Sequence, residues 1–366
     1  MTDVLTIFRE VSDPRGVNAR HDLGDILFVA LAATLCGAKT CVDMAEFAEA
    51  RLEELREIVD LEHGAPSHDT FSRVFRLLDP AALALAFERC LKAMRKALGL
   101  PAPKGVVAID GKALRRGYDK GRAHMPPLMV GLFDSQTRLS LAQVRAPGGS
   151  EITGTLTLLK GLSLKGCTVT ADALHGHAEM ARAVRETKAH YALGLKANRH
   201  ALLAQAETAF AAAGDDLDVF ETRGKRHGRQ ETRRASILPA SRLKRTFDFP
   251  DLAAIGRIEA ERGVDGRAST SVRYVLLSKL LTPAKLAEVV RAHWSIENQL
   301  HWTLDVVFDE DNARSRKNYA PENIAVIRRL AANIIRTHPT DEPVSRKMKR
   351  ASWKIEFFFE LFAQMR

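Results

Sequence analysis

The chain has 366 residues, 46% of them hydrophobic, enough for about two domains with a sizeable core; this argues against wholesale disorder. Its 55 lysines and arginines against 45 acidic residues leave a net charge of +10, a balance that suits a polyanionic partner. Cys36, Cys41, Cys90 and Cys167 show no C-x-x-C spacing, which gives no thiolate zinc site and, with no apparent signal peptide, predicts a cytoplasmic protein. The longest apolar run, Ile26 to Cys36, falls short of the ~20 residues of a bilayer span, so a buried helix and no membrane association are expected.

Residues 1–98 read as an N-terminal helical domain. Leu23, Ile26, Leu27, Ala30 and Leu31 recur at helical spacing, as do Met44, Phe47, Leu52, Leu55 and Ile58. Ser67 is placed to cap a short amphipathic helix through Phe71, Val74 and Phe75, and Pro80 to Leu98 is again helical. A DNA-binding head and a plain helical bundle are both open readings of this region. Gly99 to Lys104, with Pro101 and Pro103, reads as a linker.

The period then changes. Strands are predicted at Val106–Asp110, Leu128–Asp134 and Leu139–Val144, with Ser135 to Arg138 as a hairpin turn. Ser150 caps a helix carrying Ile152, Leu156, Leu159 and Leu162; Cys167–Ala171 is a fourth strand, His175–Lys188 a helix and Tyr191–Leu195 a fifth strand. Three strands followed by alternating helices and strands predict an α/β fold, a mixed sheet with flanking helices. This is the element order of the ribonuclease-H-like fold, in which one acidic residue sits on the first strand and another just after the fourth. Asp110 and Asp172 fall at those places. Residues 216–280 read as a β-rich insertion before the last catalytic helix. Thr282-Pro283 starts that long helix, helical texture returns at Glu322–Arg336, and residues 341–366 form a basic C-terminal tail after a catalytic domain bounded at 105–340.

Three acidic residues carry the chemistry. Asp110 closes an apolar strand, Asp172 closes another, and Glu297 lies in His293-Trp294-Ser295-Ile296-Glu297-Asn298. Convergent carboxylates hold divalent cations, which activate water or a 3′-hydroxyl against phosphate. Each residue also has a plain structural role: Asp110-Gly111 is a turn pair, Asp172 a helix N-cap, and Glu297 part of a polar interface stripe. That stripe is His293, Glu297, His301 and Asp305, spaced four residues apart on one helix face. A zinc site from His293 and His301 is disfavoured, since they lie roughly 12 Å apart along a helix axis. His175 and His177 receive no metal role.

Several motifs occur in a family's order: Ile109-Asp110-Gly111-Lys112, Ser150-Glu151-Ile152, Thr170-Ala171-Asp172-Ala173, Leu195-Lys196-Ala197-Asn198, His227-Gly228-Arg229 and His293 to Asn298. Leu300 to Val306, Phe308 to Arg316, and the N-terminal Asp13-Pro14-Arg15 and Pro66 to Phe71 extend the match over nearly the whole chain. The sequence resembles the bacterial insertion-sequence transposases of the ISAs-one group, also called H-repeat-associated proteins. That resemblance implies a DDE transposase acting on double-stranded DNA at element ends and target, as a homo-oligomer in the nucleoid. It implies Asp110, Asp172 and Glu297 as catalytic triad and metal ligands for two Mg²⁺ ions, with Mn²⁺ as a substitute. Related transposases often carry Tyr and Arg before the glutamate and Lys after it; here those positions hold Val290, His293 and Leu304. His293 is expected to take over a DNA contact, so that His293→Arg preserves cleavage, and Arg314 or Arg316 to replace the lysine. Lys112, Arg115, Arg116, Lys196, His227 and Arg229 are further candidates to track the DNA backbone. A ribonuclease-H-like nuclease without strand transfer, or a domesticated DNA-binding protein, are the alternatives.

Overall fold

The N-terminal third is helical because its apolar residues repeat at helical spacing between good caps. The computed structural model describes residues 2–118, 125–226, 229–244, 247, 249–264 and 267–363. Its first helices are α1 (Thr2–Arg9), α2 (Leu23–Leu35), α3 (Cys41–Ala50), α4 (Leu52–Arg56), α5 (His68–Leu77) and α6 (Pro80–Ala97). α2 is buried along its whole length, as its apolar composition on every face requires. Ser67 caps α5, and Asp79 followed by Pro80 starts α6.

The sheet begins after the linker with β1 (Val106–Ala113), β2 (Leu128–Asp134) and β3 (Leu139–Arg145). There follow α7 (Glu151–Leu159), β4 (Thr168–Ala171), α8 (Ala178–Glu186), β5 (His190–Leu195) and α9 (His200–Ala213). β1 is antiparallel to β2 and parallel to β4, and β4 is parallel to β5. The order β3-β2-β1-β4-β5 is the ribonuclease-H-like arrangement predicted from the element order.

The predicted insertion is four long strands, β6 (Val219–Arg226), β7 (Arg229–Pro239), β8 (Ala254–Val264) and β9 (Arg267–Leu277). They form no separate lobe. β9 pairs antiparallel with β5, so the meander continues one nine-stranded sheet, ending β5-β9-β8-β7-β6. β8 carries Arg257, Glu259, Glu261 and Arg262 and has Gly256 near its start, so it lacks the plain apolar look of a strand. Gly256 is there because α10 (Pro283–His293) lies close: a Cβ at that position would stand 2.6 Å from Leu286.

The remaining helices are α11 (Trp302–Val306), α12 (Ala320–Thr337), α13 (Val344–Trp353) and α14 (Ile355–Ala363). The last two correct the expectation of a basic tail. Phe357, Phe358, Leu361 and Phe362 are buried, Phe362 lies 4.9 Å from the Phe28 ring, and Lys347 Nζ donates to the His338 carbonyl at 2.8 Å. The basic residues of α13 are amphipathic partners of an apolar segment, and α14 completes the core around α2.

Helices cover both faces of the sheet. α6, α12 and α10 lie on one side, and α7, α8 and α9 on the other. The N-terminal helices share their core with α12 to α14; Asn323 of α12 donates to the carbonyls of Phe75 and Leu78, both at 2.9 Å. Among the described residues no helix is long and apolar enough to cross a membrane.

Candidate active site

Sheet register brings the first two acidic residues side by side. Ala108 of β1 pairs with Thr170 of β4, so Asp110 and Asp172, each two residues further on, stand level on one face. Asp110 Oδ1 accepts from the Gly111 N–H at 2.9 Å. Asp172 Oδ1 accepts from the Leu174 N–H at 2.8 Å, capping the short turn 173–175. The structural role read for Asp172 and its place in the cluster therefore coexist.

Glu297 does not sit on one long helix. α10 ends at His293, and the chain re-forms as a wide π-helical turn, Ile296–His301, before α11. Such turns widen a helix locally and recur at functional sites. Ile296 and Leu300 are buried, which leaves Glu297 exposed. The polar stripe lies across the sheet. His293 Nδ1 is 3.0 Å from Thr170 Oγ1 on β4, His301 Nδ1 is 3.6 Å from Asp110 Oδ2 on β1, and Asp305 meets Lys112 at 2.5 Å.

Burial, the Glu151 charge, and the charges of Glu297 and Asp172 together hold the Asp110 carboxyl up at about 7. Burial pushes His293 down to about 4 and His301 to about 3, so both are neutral near pH 7.

Glu151 is the member the sequence reading left without a role. It opens α7 behind its Ser150 cap and leans over Gly111, where a Cβ would stand 2.7 Å from its carboxylate. Its Oε1 is 3.0 Å from Nε2 of His175, which is fully buried and whose Nδ1 has no partner among the described residues. Glu151, Asp172 and His175 each offer a ligand atom within 4.8 Å of the others. His175, denied a metal role on sequence, thus stands in the cluster. Carboxylate oxygens in this number suit a hard divalent cation. The signal for Glu151 was the Ser150-Glu151-Ile152 motif itself.

The basic candidates divide. Lys112 is corrected: it is buried, with Nζ 2.5 Å from Asp305 and 3.0 Å from Asp311, and ties β1 to the segment after α11 instead of facing DNA. Arg115 is exposed and pairs with Asp311 at 3.2 Å. Arg116, Lys196 and Arg314 are exposed. Arg316 is engaged elsewhere: its Nε donates to the Arg116 carbonyl at 3.0 Å, it stacks 4.9 Å from the Tyr118 ring, and it lines a cavity of about 450 Å³ with Arg76 and Arg145. His227 lies outside the described residues; Arg229 begins β7, and its side chain is likewise outside them. His293 is half-buried, and its Nδ1 is already engaged by Thr170 Oγ1 at 3.0 Å.

Residues 101–334 match the family described as Transposase DDE domain, and residues 5–91 match the one described as DDE_Tnp_1-associated. The chain is 30% identical to the H repeat-associated putative transposase YhhI of Escherichia coli (strain K12), over 94% of this chain and 93% of that protein. It is 31% identical to the putative transposase YncI of Escherichia coli O157:H7, over 99% of this chain and 94% of that one. Among solved structures, a piggyBac transposase synaptic complex with hairpin DNA aligns with 99% of this chain and 78% of that chain, at 14% identity and a TM-score of 0.42. By its matched domain and its full-length relatives, this chain belongs to the DDE transposase family.

Proposed function

We propose that this DDE transposase cuts and joins double-stranded DNA at the ends of an insertion sequence of the ISAs-one group, working as a homo-oligomer on the DNA. In this reading Asp110, Asp172 and Glu297 are the acidic triad and Glu151 is a fourth carboxylate of the same cage. One observation carries it: four carboxylates, from β1, β4, α7 and the 296–301 turn, act on one another electrostatically or lie in direct reach. Among the described residues none of them forms an ion pair with a lysine or arginine. A protein leaves such charge uncompensated where a cation supplies the balance.

Two Mg²⁺ ions are the proposed cofactors, with Mn²⁺ able to substitute; when bound, they would lower the pKa of the attacking water or 3′-hydroxyl and stabilise the leaving oxygen. The protein's own contribution is placement. The His293–Thr170 contact pins the end of α10 to β4. Lys112, held between Asp305 and Asp311, pins the segment after the π turn to β1. These two contacts flank Glu297 along the chain, and its charge acts on Asp110. His175 holds the Glu151 carboxylate from beneath. Arg115, Arg116, Lys196 and Arg314 are the exposed cations proposed to follow the DNA backbone, and the N-terminal helices are proposed to add DNA contacts.

The test is a purified-protein assay on labelled DNA carrying the sequences that border the gene, with Mg²⁺, resolving hydrolysis from joining products. Both products are expected from the wild type and neither from Asp172→Ala, with binding retained. Hydrolysis alone would favour a nuclease, and binding without either product a domesticated DNA-binding protein. Cleavage by Asp172→Ala would remove Asp172 from the mechanism.

A further inference from the structure

The strands β6 to β9 are rich in arginine, and the arginines whose side chains are described follow one rule with one exception. Arg223 pairs with Glu221 at 2.6 Å, Arg234 with Glu221 and Glu261 at 2.7 Å each, and Arg257 with Glu259 at 3.7 Å. Arg233 and Arg262 share Glu231, at 3.0 and 2.7 Å. Arg273 of β9 forms no ion pair among the described residues, although it is exposed and stands on the same sheet face as Arg233 and Arg262.

Its position in the sheet is informative. Asp172 follows Ala171, which pairs with Leu193 of β5, so Asp172 is level with Gly194, and Gly194 pairs with Val275 of β9. Arg273 alternates with Val275 and Leu277, whose side chains pack against Leu286 of α10. It therefore emerges on the face that carries Asp110 and Asp172, past the end of the β5 pairing. Two strand spacings separate β9 from β4, roughly 10 Å. The guanidinium is not loose: it lies 4.8 Å from the Trp294 ring, three residues before Glu297. Stacking occupies one face of the planar group and leaves its N–H edge free, the edge that binds phosphate. Arg273 and Asp172 also act with opposite sign on His293.

We propose that Arg273 is a positioning residue that binds a backbone phosphate of the DNA strand entering the carboxylate cluster, with Trp294 holding its guanidinium in place. The proposal rests on reading the cluster as the cutting centre. It supplies, from the sheet extension, a cation held at Trp294, on the segment that carries His293 and Glu297.

The experiment is a salt series of anisotropy titrations on a labelled mixed-sequence DNA duplex, without divalent cations, for wild type, Arg273→Gln and Arg273→Lys. Each phosphate contact adds about −0.9 to the slope of log K against log salt. Arg273→Gln should make the slope shallower by about that amount, Arg273→Lys should restore it, and neither should shift the thermal midpoint appreciably. An unchanged slope in Arg273→Gln overturns the proposal. Equal loss of slope in both variants, matched by equal loss of thermal stability, also overturns it, assigning Arg273 to support of α10. Wild-type cleavage with Mg²⁺ is measured in parallel. If the wild type cleaves and the slope does not change, the phosphate contact alone fails; if the slope changes and the wild type does not cleave, the cutting reading fails.

Discussion

Two regions of the nine-stranded sheet, the proposed working end of β1 and β4 and the supporting end of β6 to β8, handle charge in opposite ways. Around β1 and β4, Asp110, Asp172, Glu151 and Glu297 gather with histidines and no paired cation among the described residues. Along β6 to β8, each arginine whose side chain is described has a glutamate partner within 4.0 Å. The second arrangement is what a half-exposed sheet surface needs to stay compatible with its own charges. The first destabilises the free protein, because a partly buried carboxylate beside like charges is held up towards its neutral form. Uncompensated charge therefore separates the proposed working end of the sheet from the supporting end. Among the arginines of β6 to β9 whose side chains are described, Arg273 alone breaks the supporting pattern, and its strand is the one that pairs with β5.

The sharpest way to break this comparison is Asp110→Asn. Cleavage should fall at least about a thousand-fold, the loss of several kcal/mol of charge stabilisation. Stability should move the other way. The folded-state pKa of Asp110 is raised to about 7, so its contribution is present in acid and is lost as pH rises through 7. At pH 8 without divalent cations the variant should therefore be more stable by about 1–3 kcal/mol, and Mg²⁺ should raise the thermal midpoint of the wild type but not of the variant. Thermal melts at pH 5 and pH 8, with and without Mg²⁺, check this; a variant less stable than wild type at pH 8 without metal would contradict the charge-excess account.

His293→Arg is the next largest effect. A guanidinium cannot shed its charge, the site is half-buried, and the Thr170 bond is lost, so about 2–3 kcal/mol of stability should go and cleavage should fall with it. His293→Gln should be milder and should also show in the pH profile. The folded-state pKa of His293 is lowered to about 4, so its contribution to stability is present above pH 6.5 and is lost as pH falls towards 4. His301, lowered to about 3, acts in the same window and below it. Wild-type stability should fall over that range, and denaturant melts should show a shallower fall in His293→Gln. An arginine variant as stable and as active as wild type would restore the reading of His293 as a direct DNA contact.

The smallest effect belongs to the supporting end. Glu231→Gln frees Arg233 and Arg262, and exposed pairs of this kind are worth about 0–1 kcal/mol. Stability should change by no more than that and cleavage by less than about two-fold, while the salt slope for DNA binding steepens slightly because two cations are released. A large loss of cleavage in Glu231→Gln would mean that β7 and β8 belong to the working end after all.

Much of the core fold was legible locally. An apolar run closed by aspartate, a Ser or Thr ahead of an amphipathic period, and a proline at a first helical position are short-range signals. They located β1 to β5, α5, α7 and α10 and put Asp110 and Asp172 at strand ends. They did not reveal β8, whose alternating charges are satisfied only by its neighbours, nor α13 and α14, where a basic stretch hides the apolar ridge that packs on α2. The candidate site was expected as three carboxylates, without its surroundings. Lys112 looked like a phosphate ligand until Asp305 and Asp311, nearly two hundred residues away, were seen to claim it. Glu151 and His175 read as an ordinary helix start and a stray histidine until the packing of α7 over Gly111 brought them to Asp172. Sequence alone determined β1 to β5, the capped helices and which acidic residues end those strands, because those outcomes depend on neighbours a few positions away. Which charges are neutralised, which are left bare and which face of the sheet they share was decided by register and close packing, because an ion pair depends on distances through space that no spacing along the chain records.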